Sequence, residues 1–300
     1  MESIASPAAN TDSVTLAALL REGRAMLAEA GVERAEQEAI WILEAALNTS
    51  RLALTLERTR LVDPHKLAAV RALLARRAAR EPLQYLLGAQ EFCGLEFEVD
   101  PSVFIPRPET ELLIDELARR LRTDEPALLA DIGTGSGCIA VAAARMFRHA
   151  SVYAVDLSEA ALAVAGRNVV RHGVQARVTC LRGDLFEPLR ARGMTGAFAA
   201  ILSNPPYIAD PEIDGLQPEV RLFEPRLALS GGQDGLDFYR RIVNEAWEWL
   251  APGGVLIMEV GQDQAASVCE LASRQGRYGA ISTRRDLAGI DRIVCLDLKG

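Results

Sequence analysis

"DIGTGSGCIA", Asp131 to Ala140, decides the fold. It closes the strand-like run "ALLADIG" and opens the helical run "CIAVAAARMF", which is the strand–loop–helix context of a nucleotide-type site. Gly133, Gly135 and Gly137 let the backbone bend sharply and come close to a ligand. Downstream the same alternation continues. "SVYAVDL", "ARVTCLRGD", "AFAAILS" and "GGVLIMEVG" read as strands, and "SEAALAVAGRNVVRHG", "GLDFYRRIVNEAWEWL" and "QDQAASVCELASRQ" as helices. Nearly continuous apolar strands separated by helices predict an α/β, Rossmann-like domain with a mostly parallel sheet covered on both faces. The last pair, "YGAISTRRDL" and "DRIVCLDL", is joined by a short turn and predicts an antiparallel edge hairpin.

Upstream of this domain, residues 13–88 read as a small helical bundle. "VTLAALLREGRAMLAEAG" and "ERAEQEAIWILEAAL" carry apolar residues at helical spacing, with Gly31 as a helix stop. "DPHKLAAVRALLARRAAR" opens with Asp63 as N-cap and Pro64 at the first helical position. Its arginines Arg71, Arg76, Arg77 and Arg80 read as a solvated face, with a docking face as the alternative. In residues 89–108, Leu95, Phe97 and Val99 alternate as a hairpin linker, and Phe104 to Pro108 form a stiff extended strap. Thr110 and its neighbouring acids start a helix, and residues 109–300 complete the α/β domain. Residues 1–12 read as a disordered tail.

At 300 residues and net charge −8, the chain can build a large core and lacks the basic excess of a nonspecific nucleic-acid binder. No apolar run approaches the roughly 20 residues of a membrane span, and "MESIASPAAN" is no signal peptide. The five scattered cysteines fit reduced thiols and a cytoplasmic location. His65, His149 and His172 stand apart from one another, so no metal site is expected. No surplus apolar stripe calls for a second copy, and a monomer is expected.

Asp156 ends the second strand, placed to accept both ribose hydroxyls of a nucleoside. The third glycine comes one residue earlier than in G-x-G-x-x-G, and Asp131 is expected to point into the same crevice. An acid there repels a pyrophosphate but suits a cationic ligand, so the loop Gly133, Thr134, Gly135, Ser136 and Gly137 with its acids favours S-adenosyl-L-methionine over NAD. Asp184 is placed for the adenine amino group, with Leu185 and Phe186 beside the ring. "SNPPY", Ser203 to Tyr207, stops the fourth strand with two prolines that cannot serve a ladder. Beside a methyl donor, the Asn204 side-chain carbonyl and the Pro205 backbone carbonyl would each accept one N–H of a planar amino group. Tyr207 would stack on that group, and Pro206 would hold the turn rigid. No covalent intermediate is required.

With both motifs in place, the chain resembles the HemK/PrmC family of protein-(glutamine-N(5)) methyltransferases. The likeness runs through "EPLQYLLG", "FIPRPETE", "DIGTGSGCIA", "SNPPYI", "EPRLALSGGQDGLDFYR", "LAPGGVLIMEVG" and "DLAGIDRIV". "NPPY" alone is shared with DNA adenine methyltransferases; "FIPRPETE" and "EPRLAL" with "GGQDGL" make the resemblance specific. It implies a seven-stranded S-adenosylmethionine-dependent domain, and a helical domain that helps hold class I peptide-chain release factors. The acceptor is then the glutamine of their Gly-Gly-Gln loop. The resemblance further implies that Phe104, Arg107 and Glu109 lie near the mouth of the site. The chain's own "GGQ", Gly231 to Gln233, precedes a helix and reads as turn glycine instead of a methylation target. Competing readings are a nucleic-acid adenine methyltransferase, which this acidic chain lacks a basic aromatic surface to serve; a methyltransferase of some other protein; and a nonenzymatic donor-binding module.

Overall fold

The computed structural model describes residues 14–299. The tail expected over residues 1–12 lies outside the described residues. The chain divides between Leu87 and Gly88 into two compact units.

The first unit is helical: α1 Leu16–Glu29, α2 Ala35–Leu47, α3 Arg51–Leu56, α4 Pro64–Ala78 and α5 Leu83–Leu87. Thr15 caps α1 by accepting from the Ala18 N–H at 3.3 Å, and Asp63 caps α4 by accepting from the His65 N–H at 2.9 Å. Leu19, Leu27, Ile42, Leu43, Val70 and Leu74 are fully buried between the helices. The α4 arginines face neighbouring acids: Arg71 pairs with Glu22, Arg76 with Glu81 and Arg77 with Glu38. Short α3 and α5 carry too few residues for a periodic signal and were not anticipated.

The second unit begins with a two-stranded antiparallel ribbon, β1 Ala89–Phe92 and β2 Leu95–Glu98. Then come α6 Glu111–Arg120, β3 Leu128–Ile132, α7 Cys138–Met146, β4 Ser151–Asp156, α8 Glu159–Arg171, β5 Val178–Arg182 and α9 Glu187–Arg190. β6 Phe198–Ser203, α10 Pro218–Phe223, α11 Asp237–Trp249, β7 Leu250–Glu259, α12 Ala265–Gln275, β8 Tyr278–Arg285 and β9 Asp291–Leu298 complete it. The main sheet has seven strands in the order β5-β4-β3-β6-β7-β9-β8. β3 to β7 are parallel, and β9 and β8 run antiparallel at one edge.

Period-two alternation sends neighbouring residues to opposite faces. Leu129, Ala154, Leu202, Val255 and Ile257 pack under α6, α7 and the ribbon. Ala130, Val155, Ile201, Leu256 and Met258 pack against α11 and α12. Both faces are covered, which is why these strands are mostly apolar, with Asp131, Ser203 and Glu259 as buried polar exceptions near their carboxyl ends. The ribbon is anchored to α8: the Asn168 side chain accepts from the Glu98 N–H at 2.8 Å and donates to the Glu98 carbonyl at 3.0 Å.

The strand order reverses direction at β3. The chain runs from β3 outward to β5, then returns to lay β6 on the other side of β3. Such a switch point opens a crevice beyond the carboxyl ends of the two strands. Register places Ile132 opposite Ser203, and the Ser203 hydroxyl donates to the Ile132 carbonyl at 2.7 Å. The glycine loop and the Asn204–Tyr207 segment therefore leave the sheet side by side. No helix among the described residues is long and apolar enough to cross a membrane.

Candidate active site

The glycine loop hangs on the end of β4, where Gly133 and Thr134 N–H groups both donate to the Val155 carbonyl at 2.9 Å. Gly137 ends the loop with φ of 79°, and a Cβ there would stand 3.1 Å from the Ala165 Cβ. Only glycine fits both the backbone and the close approach of α8. At Gly133 and Gly135, with φ of 77° and 54°, a Cβ would meet nothing within 4 Å. Those residues present bare backbone to an open space.

That space is a cavity of about 180 Å³. Gly133, Thr134, Gly135, Ser136, Asp156, Asp184 and Leu185 line one side. Asn204, Pro205, Pro206 and Tyr207 line the other, and Phe104 and Pro106 reach it from the strap. The structure thus gathers most of the residues singled out by sequence.

The remaining ones do not line it. Asp131, expected to point into the crevice, is fully buried behind the loop. Its Oδ2 accepts from the Thr134 hydroxyl at 2.5 Å and the Ala140 N–H at 3.1 Å, while Oδ1 has no partner among the described residues. Burial pushes its carboxyl up to about 7, against the opposing pull of Thr134. Phe186 is also fully buried, stacked on Trp249 with centroids 5.7 Å apart, and so supplies no cavity wall. Arg107 pairs with the buried Glu224 and lies over the Phe104 ring at 4.5 Å; neither it nor Glu109 lines the cavity. Glu224 also accepts from the Ile105 N–H at 3.2 Å, so this ion pair clamps the strap to the end of α10. Gly137 shapes the loop without facing the space.

Asp156 uses one lone pair of each oxygen on backbone: Oδ2 accepts from the Gly135 N–H at 2.8 Å and Oδ1 from the Ser158 N–H at 2.9 Å. The remaining lone pairs are open to a ligand hydroxyl pair. Burial raises its pKa while these N–H bonds oppose the shift. Asp184 is half-exposed and paired with Arg241 at 2.7 Å. Leu185 adopts φ of 50°, a left-handed conformation that turns its side chain into the cavity wall.

Sequence reasoning missed the residues that hold the Asn204–Tyr207 turn. Gln264 on the approach to α12 donates from Nε2 to the Tyr207 carbonyl at 2.9 Å. Gly231 donates its N–H to the Ile208 carbonyl at 2.8 Å, and a Cβ at Gly231 would stand 2.8 Å from the Tyr207 Cα. Gly231, the first glycine of "GGQ", thus allows two backbones to touch, beyond the turn role expected of it. Burial raises the Tyr207 phenol well above its ordinary range, so it stays protonated. Thr110, expected to begin α6, makes no capping bond; its hydroxyl donates to the buried Glu259 at 2.6 Å and accepts from Asn204 Nδ2 at 3.2 Å. Only sequence-distant pairing brings these groups together, and no local pattern announces it.

A glycine-lined loop, a ribose-type acid and a rigid carbonyl pair in one cavity can hold a nucleoside-bearing group donor against a planar amino acceptor. Comparison with known proteins narrows this. Residues 18–88 match the PrmC N-terminal domain model, and residues 97–217 the methyltransferase small domain model. The chain is 51% identical to the release factor glutamine methyltransferase of Geobacter sulfurreducens, over 93% of this chain and 95% of that relative. It is 48% identical to that of Gloeobacter violaceus, over 89% and 93% respectively. A methyltransferase crystal structure from Pyrococcus furiosus shares the fold at TM-score 0.51 and 18% identity, covering 78% of this chain and all of that one. The chain therefore belongs to the release factor glutamine methyltransferase family.

Proposed function

We propose that this protein transfers a methyl group from S-adenosyl-L-methionine to the side-chain amide nitrogen of the glutamine in the Gly-Gly-Gln loop of class I peptide-chain release factors. The observation that carries the reading is the single cavity shared by the glycine loop and the Asn204–Tyr207 turn. Its residues fit the donor: bare backbone at Gly133 and Gly135, open lone pairs on Asp156, an apolar wall with Leu185, and no cationic side chain at the loop that would favour a phosphate. Gly133 to Gly137, Asp156 and Asn204 would hold it, with Asp184 and Leu185 beside its base. When bound, the donor would supply an electrophilic methyl group, its S–CH3 bond breaking to leave a neutral thioether while the methylated nitrogen gives up one N–H proton to solvent.

The chain's own residues prepare the nucleophile. An amide nitrogen is weak because its lone pair is delocalised into the carbonyl. Asn204 Oδ1 and the Pro205 carbonyl each accept one N–H of the glutamine amide. This draws charge toward nitrogen, favours a more pyramidal geometry and aims the lone pair. Pro205 and Pro206 hold these acceptors where little reorganisation is needed. Tyr207 packs on the planar amide and helps exclude water. Phe104 closes one wall, and Arg107 and Glu109 act behind the mouth, Arg107 through its grip on Glu224 and the strap.

In the domain arrangement we propose, the helical bundle of residues 13–88 docks the release factor and residues 109–300 carry the chemistry, with residues 89–108 joining them. The enzyme acts as a cytoplasmic monomer and does not contact nucleic acid directly. The test is incubation with radiolabelled S-adenosylmethionine and a purified class I release factor, beside its Gly-Gly-Ala variant. Label in the first and none in the second is expected. Label in neither, with donor binding confirmed by calorimetry, would redirect the reading to another protein or to a nucleic-acid amino group.

A further inference from the structure

Asn204 can orient a substrate amide only if its own amide is the right way round. Its Oδ1 and Nδ2 have nearly the same shape, and a flip would present donors where acceptors are needed. Steric fit cannot decide between them, so hydrogen bonding must.

The deciding groups lie behind the cavity. Thr110 and Glu259 are each 2% exposed. The Thr110 hydroxyl donates to Glu259 Oε2 at 2.6 Å and accepts from Asn204 Nδ2 at 3.2 Å. A hydroxyl has one proton. An ionised carboxylate can only accept, so it takes that proton and leaves Thr110 to accept from Asn204. The Asn204 NH₂ is thereby drawn inward and Oδ1 is left toward the cavity. Glu259 is fixed in turn: β7 is paired with β6 in a register that sets Met258 opposite Ser203, and the Tyr239 hydroxyl donates to the Glu259 carbonyl at 3.1 Å.

We propose that Thr110 and Glu259 are positioning residues for methyl transfer: a carboxylate–hydroxyl relay that fixes the orientation of the Asn204 amide. This rests on the methyltransferase reading given above. The relay has a polarity, and a proton on Glu259 reverses it. Protonated Glu259 donates to Thr110, whose own proton then turns toward Asn204. Asn204 must then offer Oδ1 inward and NH₂ to the cavity. Arg292 from β9, Arg107 from the strap, Glu109 just beyond it, Tyr207 from the turn and Tyr239 from α11 face this carboxyl. Burial is the largest influence and pushes it up to about 7, against the Thr110 hydrogen bond and the Arg292 charge. Turnover is therefore expected to fall as pH drops through that value.

The experiment measures kcat, KM for the release factor and the donor Kd for wild type, T110V, T110S and E259Q across the neutral range of pH. T110V keeps the shape of threonine without the hydroxyl, and its kcat is expected to fall on the order of tenfold to a hundredfold, with donor Kd held within about twofold. T110S restores most of the loss. E259Q still offers Thr110 an acceptor but cannot take up a proton, so its acid limb disappears. Wild-type kcat in T110V, equal losses in T110S and T110V, or an unchanged acid limb in E259Q would each overturn the relay. Should wild type transfer no methyl group to the release factor, the reaction assignment fails, and amide exchange of the Asn204 side chain still decides the relay. Slow exchange in wild type and fast exchange in T110V support it; fast exchange in both overturns it.

Discussion

Two buried carboxylates flank β6, and they are built alike. Asp131 stands one residue before the end of β3 on one side, and Glu259 ends β7 on the other. Each accepts a short bond from a threonine hydroxyl, at 2.5 Å from Thr134 and 2.6 Å from Thr110. Burial pushes each up to about 7. They differ in how far the chain travels to make them. Thr134 and Ala140 lie three and nine residues beyond Asp131, within one loop and one helical turn. Thr110 lies 149 residues before Glu259. The local cluster shapes a binding loop, whereas the long-range one meets the residue assigned to the acceptor. Similar buried chemistry thus does two jobs according to what its threonine touches next.

The comparison is tested most severely at Asn204, where the long-range cluster ends. In N204A the relay has nothing left to orient, and one of two preorganised acceptors is gone. A loss of about 10²–10³ in kcat is expected, with measurable donor binding retained. Single-turnover transfer and calorimetry on the same sample would check this. Turnover at the wild-type rate would mean that the turn is structural only. A loss no larger than that of T110V would mean that Asn204 contributes nothing beyond the relay.

The same contrast explains what the sequence could tell. The glycine loop, Asp156 and "NPPY" are contiguous signals with local causes: positive φ at Gly137, a strand end at Asp156, missing N–H groups at Pro205 and Pro206. The central strands are legible because both of their faces must be mostly apolar, and the edge strand β8 because a short turn joins it to β9. Asp131 was legible as part of the loop but not in direction, since a strand-end acid can turn either to the crevice or beneath the helix it precedes. Phe186 misled for a related reason: a ring beside a site lines it only if nothing buried claims it first, and Trp249 claims this one. Thr110 read as a helix start because its partner at the end of β7 is visible only in the folded sheet.

A second prediction separates the two carboxylates by what titration does. Asp131 has a folded pKa of about 7, above its unfolded value of 3.8. Between those values the native state keeps a proton that the unfolded chain has shed. The associated stability is fully present below the lower value and is lost as pH rises to the upper one. D131N removes this dependence. Relative to wild type, protection of β3 and β6 amides against hydrogen exchange should improve in D131N on going from acid to slightly alkaline pH, by on the order of 4 kcal/mol. Parallel profiles would mean that Asp131 ionises in the native protein as it does when unfolded. Glu259 is raised in the same way, so E259Q shares this stability signature; what it adds is the change in the pH dependence of turnover. A D131N variant that also lost the acid limb of turnover would place both carboxylates in the relay.

The smallest effect belongs to the acid that is least buried. Asp184 lines the cavity but leaves 43% of its side chain exposed, as its partner Arg241 leaves 44%. Water screens both charges, and such a pair contributes little on its own. D184N removes the charge while keeping an amide oxygen that can accept from an adenine amino group. Donor Kd should therefore rise only about threefold, which corresponds to roughly 0.6 kcal/mol. Asp156 offers the internal control. It is more deeply buried and holds the Gly135 and Ser158 N–H groups, so D156N puts an NH₂ group where one of two acceptors was required. Titrations of both variants with S-adenosylmethionine would rank them. Equal losses would mean that charge near the donor matters more than burial, and the ordering by depth that separates Asp131 and Glu259 from Asp184 would no longer hold.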